Sequence, residues 1–410
     1  MLKRPNTSWV IVMGTFASGS ITIEFDNTGK TERILANGAD IRVIISQLTS
    51  TPLIGRTVAL PETIYRLVNQ VFDAIDDLTR QGLSNFVSVT AADRLFESFT
   101  PLWRALSSFG FQLAASEMWA QLIRSTLKWE SAHATRIHKG TPFFFLGMNL
   151  IIQGDIDTAF LFIYNAMEED KVWSQAANQP NSYKQAPAYM TAAIADNQAN
   201  ALYNTVVRPI REAIANYASS FSSAISTSFT LADFQANFLD KAELEEVILF
   251  FVYNMYHHVQ RNRFNQVPKF FKNDFTKLKN LDSIFNLCLV IEEVLQHKFA
   301  GTTTNYFISD GILYLSSRMG WIPAGERERQ FFAKLQGVDL RSDPSIAVPT
   351  LLTGNVTYDN QPLMSELRYL LLAWHLRNYG GHNIRAQDIL VQSYDRIFEW
   401  LIYALFIAIQ

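Results

Sequence analysis

Residues 390–409, LVQSYDRIFEWLIYALFIAI, decide the fold class. Leu390, Tyr394, Ile397, Phe398, Leu401, Leu405 and Ala408 recur at the three- and four-residue spacing of one helical face. The charge-free run from Trp400 to Ile409 spans ten residues, against the ~20 needed to cross a bilayer. Glu399, Arg396 and Asp395 stand just before it, so no membrane span is expected. A helix that is apolar on every side needs a second burying surface, and a second copy of the chain, forming a homodimer, is the simplest supply.

Working outward, three more stripes share that period. Leu363, Leu367, Leu370, Leu371 and Trp374 form one, and Ile284, Cys288, Ile291, Leu295 and Phe299 form another, with Asp282 as its expected cap. Leu244, Ile248, Phe251, Val252, Met255 and Val259 form the earliest. Between residues 300 and 361 the composition shifts to Gly, Thr, Ser and Pro, with Pro323, Pro344 and Pro349 as interruptions, which reads as an insertion. Four amphipathic helices with one insertion predict a four-helix bundle over 241–410.

The remainder is also mainly α. Residues 61–240 carry helical periodicity at 61–80, 91–108, 110–130, 142–153, 156–170 and 187–225, the last interrupted near Pro209. The segment 171–190, with Trp173, Asn178, Pro180 and Pro187, reads as a polar loop, an insertion or lid on that body. Phe143, Leu146, Gly147, Leu150, Gly154, Ala159, Ile163 and Ala166 have the spacing of one tetratricopeptide-like hairpin, and generic helix packing gives the same pattern. Residues 1–60 read as a small β element, with strands at Val10–Phe16, Ser20–Phe25 and Arg33–Leu35. Lys3 and Arg4 before the apolar run Trp9–Ala17 have the outline of a signal peptide, but alternation resumes at Ile21, Ile23 and Phe25, which favours a strand.

Composition narrows the function. The 410 residues are 48% hydrophobic and carry a formal charge of −3, which fits a globular protein and excludes nucleic-acid binding by bulk charge alone. The single cysteine, Cys288, excludes an intramolecular disulfide and multi-thiolate zinc sites, and fits a reducing, cytoplasmic compartment. No phosphate-binding loop, dinucleotide fingerprint or nucleophile elbow is present.

The string with chemistry joins the third and fourth stripes: Arg377-Asn378-Tyr379-Gly380-Gly381-His382. His382 is placed to accept the proton of an RNA 2′-hydroxyl or to protonate the leaving 5′-oxygen, and Arg377 to hold the phosphate as charge builds. Asn378 lies four residues before His382, and so on the same helical face. Arg377 and His382 fall about 140° apart on an unbroken helix, so either Gly380-Gly381 bends the chain or a second subunit completes the site. A purely structural reading has Arg377 complementing a helix C-terminus that Gly380 or Gly381 ends.

Arg-Asn-x-x-x-His between the last two long helices of a bundle resembles the signature of the HEPN domain of prokaryotic toxins, abortive-infection proteins and CRISPR-linked effectors. The resemblance covers 241–410 and implies a metal-independent endoribonuclease without cofactor, acting in antiviral defence or as a toxin. It further implies single-stranded RNA as substrate, a composite cleft between two protomers, 2′,3′-cyclic phosphate ends, and Arg377, Asn378 and His382 as site residues. Some HEPN families add an acidic residue four positions before a basic one on an earlier helix. Glu293 with His297, beside Lys298, partly matches, with His where Lys or Arg is usual. Ile384 stands where toxins paired with a nucleotidyltransferase antitoxin carry tyrosine, so adenylylation there is not expected.

Arg261, Arg263, Lys269, Lys272, Lys277 and Lys279 against Asp274 give a local charge of +5, interleaved with Phe264, Phe270, Phe271 and Phe275. This reads first as a solvated connection whose phenylalanines plug the core, and second as a candidate substrate surface. His133 and His138 lack a carboxylate at ligand spacing, Glu168-Glu169-Asp170 reads as a solvated face, and no metal site is expected. The rival function is a non-catalytic helical dimerisation protein whose middle region binds a protein partner.

Overall fold

The computed structural model describes residues 15–18, 21–25, 31–40, 43, 62–85, 93, 95–108, 111–195, 206–264, 274–300, 307–382 and 388–410. The protein is mainly helical and divides into two compact units, Met1–Ala192 and Ala193–Gln410.

The first unit opens with an antiparallel meander, β1 (Thr15–Ser18), β2 (Ile21–Phe25), β3 (Thr31–Ala36) and β4 (Ala39–Asp40), in that spatial order. Thr15 pairs with Glu24 and Ile23 with Ile34. The start of the expected first strand, residues 10–14, lies outside the described residues. Helices α1 (Glu62–Asn85), α2 (Thr100–Ser108), α3 (Gln112–His133), α4 (Gly140–Gln153) and α5 (Ile156–Ala176) follow, then the short α6 (Pro187–Ala192).

The α4–α5 hairpin forms where its small residues allow close approach. A Cβ on Gly147 would lie 2.8 Å from Ile163 Cδ1 and 3.0 Å from the Ala159 carbonyl. Gly154 adopts φ 91° at the α4 C-cap, a conformation costly for any residue with a Cβ. The expected loop at 171–190 is mostly regular: α5 runs through Trp173 to Ala176, and a single 3₁₀ turn, Ser182–Gln185, leads into α6. Among the described residues of the helix expected over 187–225, α6 ends at Ala192 and a separate helix starts at Arg208, with Pro209 in its first turn, where its missing N–H has no intrahelical role.

That new helix, α7 (Arg208–Ile225), belongs to the second unit with α8 (Leu231–Phe234), α9 (Glu245–Phe264), α10 (Asp274–Lys298), α11 (Ile308–Arg318), α12 (Glu328–Lys334), α13 (Pro344–Thr353), α14 (Ser365–His382), α15 (Ile389–Gln392) and α16 (Tyr394–Ile409). α9 packs on α10, while α10, α14 and α16 pack on one another. The stripes read from sequence are their buried faces: Ile284, Cys288, Ile291, Leu370, Leu371, Ile397, Phe398, Leu401 and Leu405 are each completely buried. α10 begins at Asp274, two turns before Asp282, so Asp282 is an exposed surface residue and not a cap.

The insertion at 300–361 carries α11, α12, α13 and a small antiparallel sheet, β5 (Leu335–Gln336), β6 (Thr357–Tyr358) and β7 (Gln361–Pro362). Pro344 and Pro349 do not interrupt helix: Pro344 starts α13 behind the Asp343 cap, and Pro349 lies within it. α11 and α13 cover the second side of α14, where Leu372, Ala373 and Leu376 are also buried.

The argument that α16 needs a second copy does not hold. Its outer side is covered by this same chain: Phe406 meets Phe221, Phe229 and Phe234 with ring centroids 4.6–5.5 Å apart, and Phe398 faces Tyr217. α7 and α8, which the sequence reading placed with the middle region, supply that cover. Each large side chain so buried stabilises the unit by about 1.5–3 kcal/mol before entropy is counted.

Candidate functional site

Arg377 sits near the C-terminal end of α14, after the buried Leu370, Leu371, Leu372 and Trp374 of a helix that packs on α10 and α16. Its Nε donates to Glu292 Oε2 on α10 at 2.6 Å, and its guanidinium lies over the Phe285 ring at 5.0 Å. Glu292 is 7% exposed and Arg377 26%, so the carboxylate is enclosed while the cation keeps an open side. The other Glu292 oxygen accepts the Ile308 N–H at the start of α11, 3.1 Å away. Glu292 thereby ties three helices together, and its bond to Arg377 uses one of the five guanidinium N–H donors.

The acidic partner of Arg377 is therefore Glu292 and not the neighbouring Glu293. Glu293 and His297 are exposed on the outer side of α10. Lys298 donates to the Ala408 carbonyl at 3.0 Å, where a cation satisfies the negative end of α16. These three residues are not gathered around Arg377.

Asn378, one residue on, is exposed. α14 continues without interruption through Gly380 and Gly381 to His382, so the expected glycine bend does not form before His382. Two glycines cost about 1 kcal/mol each in a helix relative to alanine, too little to break one held by tertiary packing. Positions 377 and 382 accordingly lie about 140° apart around the α14 axis. The His382 side chain and residues 383–387 lie outside the described residues.

Of the candidate substrate residues, Arg261 stacks its guanidinium on the Tyr394 ring at 3.7 Å. The Arg263 side chain, Lys269 and Lys272 lie outside the described residues.

Comparison of the chain with protein-family models, with curated proteins and with solved structures finds no match.

A cluster unread in the sequence lies in the first unit. The segment between α3 and α4 carries Arg136, His138 and Lys139 against α5. His138 Nε2 bonds Asp170 at 2.8 Å and Nδ1 bonds Asp93 at 3.2 Å. Burial pulls the His138 pKa down, but the two carboxylates outweigh it and hold the imidazolium at about 9. Lys139 Nζ donates to Glu130 at 2.6 Å and to the Ile137 carbonyl at 2.7 Å, and Arg136 reaches Glu169 at 2.9 Å. The Glu168-Glu169-Asp170 stretch, inside α5, is thus no solvated face: Glu169 is buried, and Asp170 is 16% exposed. With both ring nitrogens bonded and 8% exposure, His138 has no free nitrogen for a substrate, so the cluster is a clasp joining α3, α4 and α5. Partners 45 and 32 residues away in sequence explain why no local spacing revealed it.

Of the other two buried histidines, His258 is engaged at both ring nitrogens and His375 at Nδ1 alone, its buried Nε2 having no hydrogen-bond partner among the described residues. His258 stacks on Phe398 at 3.7 Å between the Tyr217 and Tyr394 hydroxyls, and burial holds its pKa at about 3, so the ring is neutral. His375 Nδ1 donates to the Leu340 carbonyl at 3.0 Å, and burial lowers its pKa. Among the described residues no group of three or more His, Cys, Asp or Glu could hold a metal, and no helix is long and apolar enough to cross a membrane.

Proposed function

We propose that the second unit is a HEPN-type, metal-independent endoribonuclease acting on single-stranded RNA, with Arg377, Asn378 and His382 as its site. The observation that carries the reading is the partly open Arg377. It is held by Glu292 and Phe285 at the end of the third of four long packed helices, five residues before a histidine. In the reaction a 2′-oxygen attacks the adjacent phosphorus as the bond from phosphorus to the 5′-oxygen breaks. The His382 of one copy takes the 2′-hydroxyl proton and hands it on to the departing 5′-oxygen, beside the Arg377 of the other copy, and the product is a 2′,3′-cyclic phosphate. Arg377 neutralises the charge that builds on the phosphoryl oxygens, and Glu292 is a positioning residue that fixes the guanidinium plane.

Because α14 does not bend between the two residues, this reading requires two copies of the chain, each giving one side of its α14 end to a shared cleft. The test is incubation of purified protein with a mixed pool of single-stranded RNAs in EDTA, with the fragment ends analysed. Cleavage to cyclic phosphate ends that disappears in His382→Ala is the expected result. Intact RNA, or undiminished cleavage by the variant, would overturn it.

The Arg377–Glu292 ion pair also favours a second reading, a non-catalytic interaction protein in which the pair only fastens α14 to α10 and α11. In that case Arg377→Met changes stability and no RNA chemistry follows.

A further inference from the structure

His375 stands on α14 among completely buried apolar residues, Leu372, Ala373 and Leu376, and is itself only 2% exposed. Its Nδ1 donates to the Leu340 carbonyl at 3.0 Å. Because a carbonyl can only accept, Nδ1 carries the proton and Nε2 is left with a lone pair. Nε2 is buried and has no hydrogen-bond partner among the described residues.

Leu340 belongs to the insertion, in the loop 337–342 between β5 and α13. Within that loop Leu340 is the buried residue, whereas Asp339 and Arg341 are exposed and Val338 and Ser342 partly so. The loop otherwise bonds to itself: the Arg341 N–H donates to the Asp339 side chain at 2.9 Å, and the Ser342 N–H to the Asp339 carbonyl at 3.1 Å. Gly337 enters it at φ 87°, where a Cβ would strike the Asn355 carbonyl, so the chain before the loop is fixed. The loop itself is fastened to α14 through the Leu340 side chain and the His375 bond.

Protonation would add an N–H at Nε2 with nothing to accept it, in a place that water does not reach. Among the described residues, Asp343 and Asp339 are the charges that act on the ring, and both come from the insertion. Both are engaged elsewhere, Asp343 as the α13 cap at the Ser345 N–H and hydroxyl and Asp339 within its own turn. α13 carries no charged side chain, Arg341 lies over Phe332 at 5.0 Å, and Arg377, two residues further along α14, is bonded to Glu292 of α10. Burial therefore outweighs the two carboxylates and lowers the His375 pKa.

We propose that His375 is an acid-sensitive latch for the 337–342 loop. The neutral ring holds Leu340 on α14, and a ring that takes up a proton releases the loop, so that both of its N–H groups find water. The hold is fully present above pH 6.5, the ordinary value, and is lost as pH falls through the lowered folded one. The latch does not rest on the ribonuclease reading.

The test is hydrogen exchange of the full chain read by mass spectrometry at about pH 7.5 and about pH 5, with labelling times scaled for the intrinsic rates. Peptides covering 337–342 should exchange about tenfold faster at the lower pH, while those of α10 and α16 keep their protection. His375→Asn keeps an N–H where Nδ1 stands but cannot titrate, and its loop should exchange equally at the two pH values. Titration of His375 in the unmodified chain, followed by NMR of its ring protons, is a measurement that needs no folded variant. Its midpoint should lie below 6.5 and coincide with the rise in loop exchange.

Equal acceleration in His375→Asn overturns the latch and assigns the release to Asp339 or Asp343. No acceleration in the unmodified chain overturns it, as does acceleration shared by α10 and α16, which is ordinary acid unfolding. A His375 midpoint at or above 6.5 overturns it as well, because the ring would then hold its proton while the loop stays bound.

Discussion

Each unit of the protein encloses carboxylates against cations, and the two do so differently. In the first, Arg136, His138 and Lys139 are matched by Asp93, Glu130, Glu169 and Asp170, and both nitrogens of His138 are bonded. In the second, Glu292 is enclosed, but the Arg377 that faces it keeps a quarter of its surface open at the end of a helix. A closed cluster can only hold structure together, because an approaching substrate finds no group free to bond. A cation anchored from behind and open in front has its orientation fixed and its remaining donors to offer. That contrast is the physical ground for placing chemistry on Arg377 and not on the more charged assembly around His138.

The largest expected effect breaks the closed cluster. Asp170→Ala leaves the His138 imidazolium enclosed beside fewer counter-charges and should destabilise the first unit by about 3–5 kcal/mol in urea unfolding. RNA cleavage per folded molecule should be unchanged. A loss under about 1 kcal/mol would mean that the clasp contributes little, since removing one partner of a buried pair is normally costly.

The same cluster sets a dependence on pH. His138 titrates at about 9 when folded, against an ordinary 6.5, so the folded state holds its proton more tightly than the unfolded chain. The resulting stability is fully present below pH 6.5 and is lost as pH rises toward 9. The unfolding free energy should therefore decline between those two values, and His138→Gln should flatten the decline. An unaltered slope in the variant would assign the titration to another group.

A smaller effect sharpens the other side of the comparison. A double-mutant cycle of Arg377→Met and Glu292→Gln should give a coupling of about 1–2 kcal/mol in stability, less than in the clasp because one side of Arg377 meets water. Glu292→Gln should also lower the rate of RNA cleavage with little change in RNA affinity, as expected of a residue that orients Arg377. Equal losses in rate and affinity would instead place Glu292 in substrate binding.

The sequence revealed regular, local features far better than long-range ones. The four stripes were readable because Leu367, Leu371 and Trp374, or Ile397, Leu401 and Leu405, repeat at helical spacing and no neighbour can disguise that period. What covers α16 was not readable, because Phe221, Phe229 and Phe234 reach Phe406 across more than 170 intervening residues. The carboxylate that meets Arg377 is Glu292, one position before the Glu293 to which the family pattern points. On a helix that step is a rotation of 100°, enough to exchange an enclosed carboxylate for an exposed one. Gly380-Gly381 suggested a bend from local propensity, and the packing of α14 between α10, α16 and the helices of the insertion outweighed it. Asp93, His138 and Asp170 come from three separate segments, so only the folded chain shows them as one cluster.

The central claim is that Arg377 and His382 act together across two copies of the chain, because an unbroken α14 sets them on different sides of one helix. Mixing Arg377→Ala protein with His382→Ala protein, each inactive alone, tests it most directly. Random exchange of subunits rebuilds one intact Arg–His pair in half of the dimers and should restore roughly a quarter of the unmodified activity in a symmetric pair. A mixture that stays inactive while the subunits demonstrably exchange, or either variant active by itself, would contradict the account.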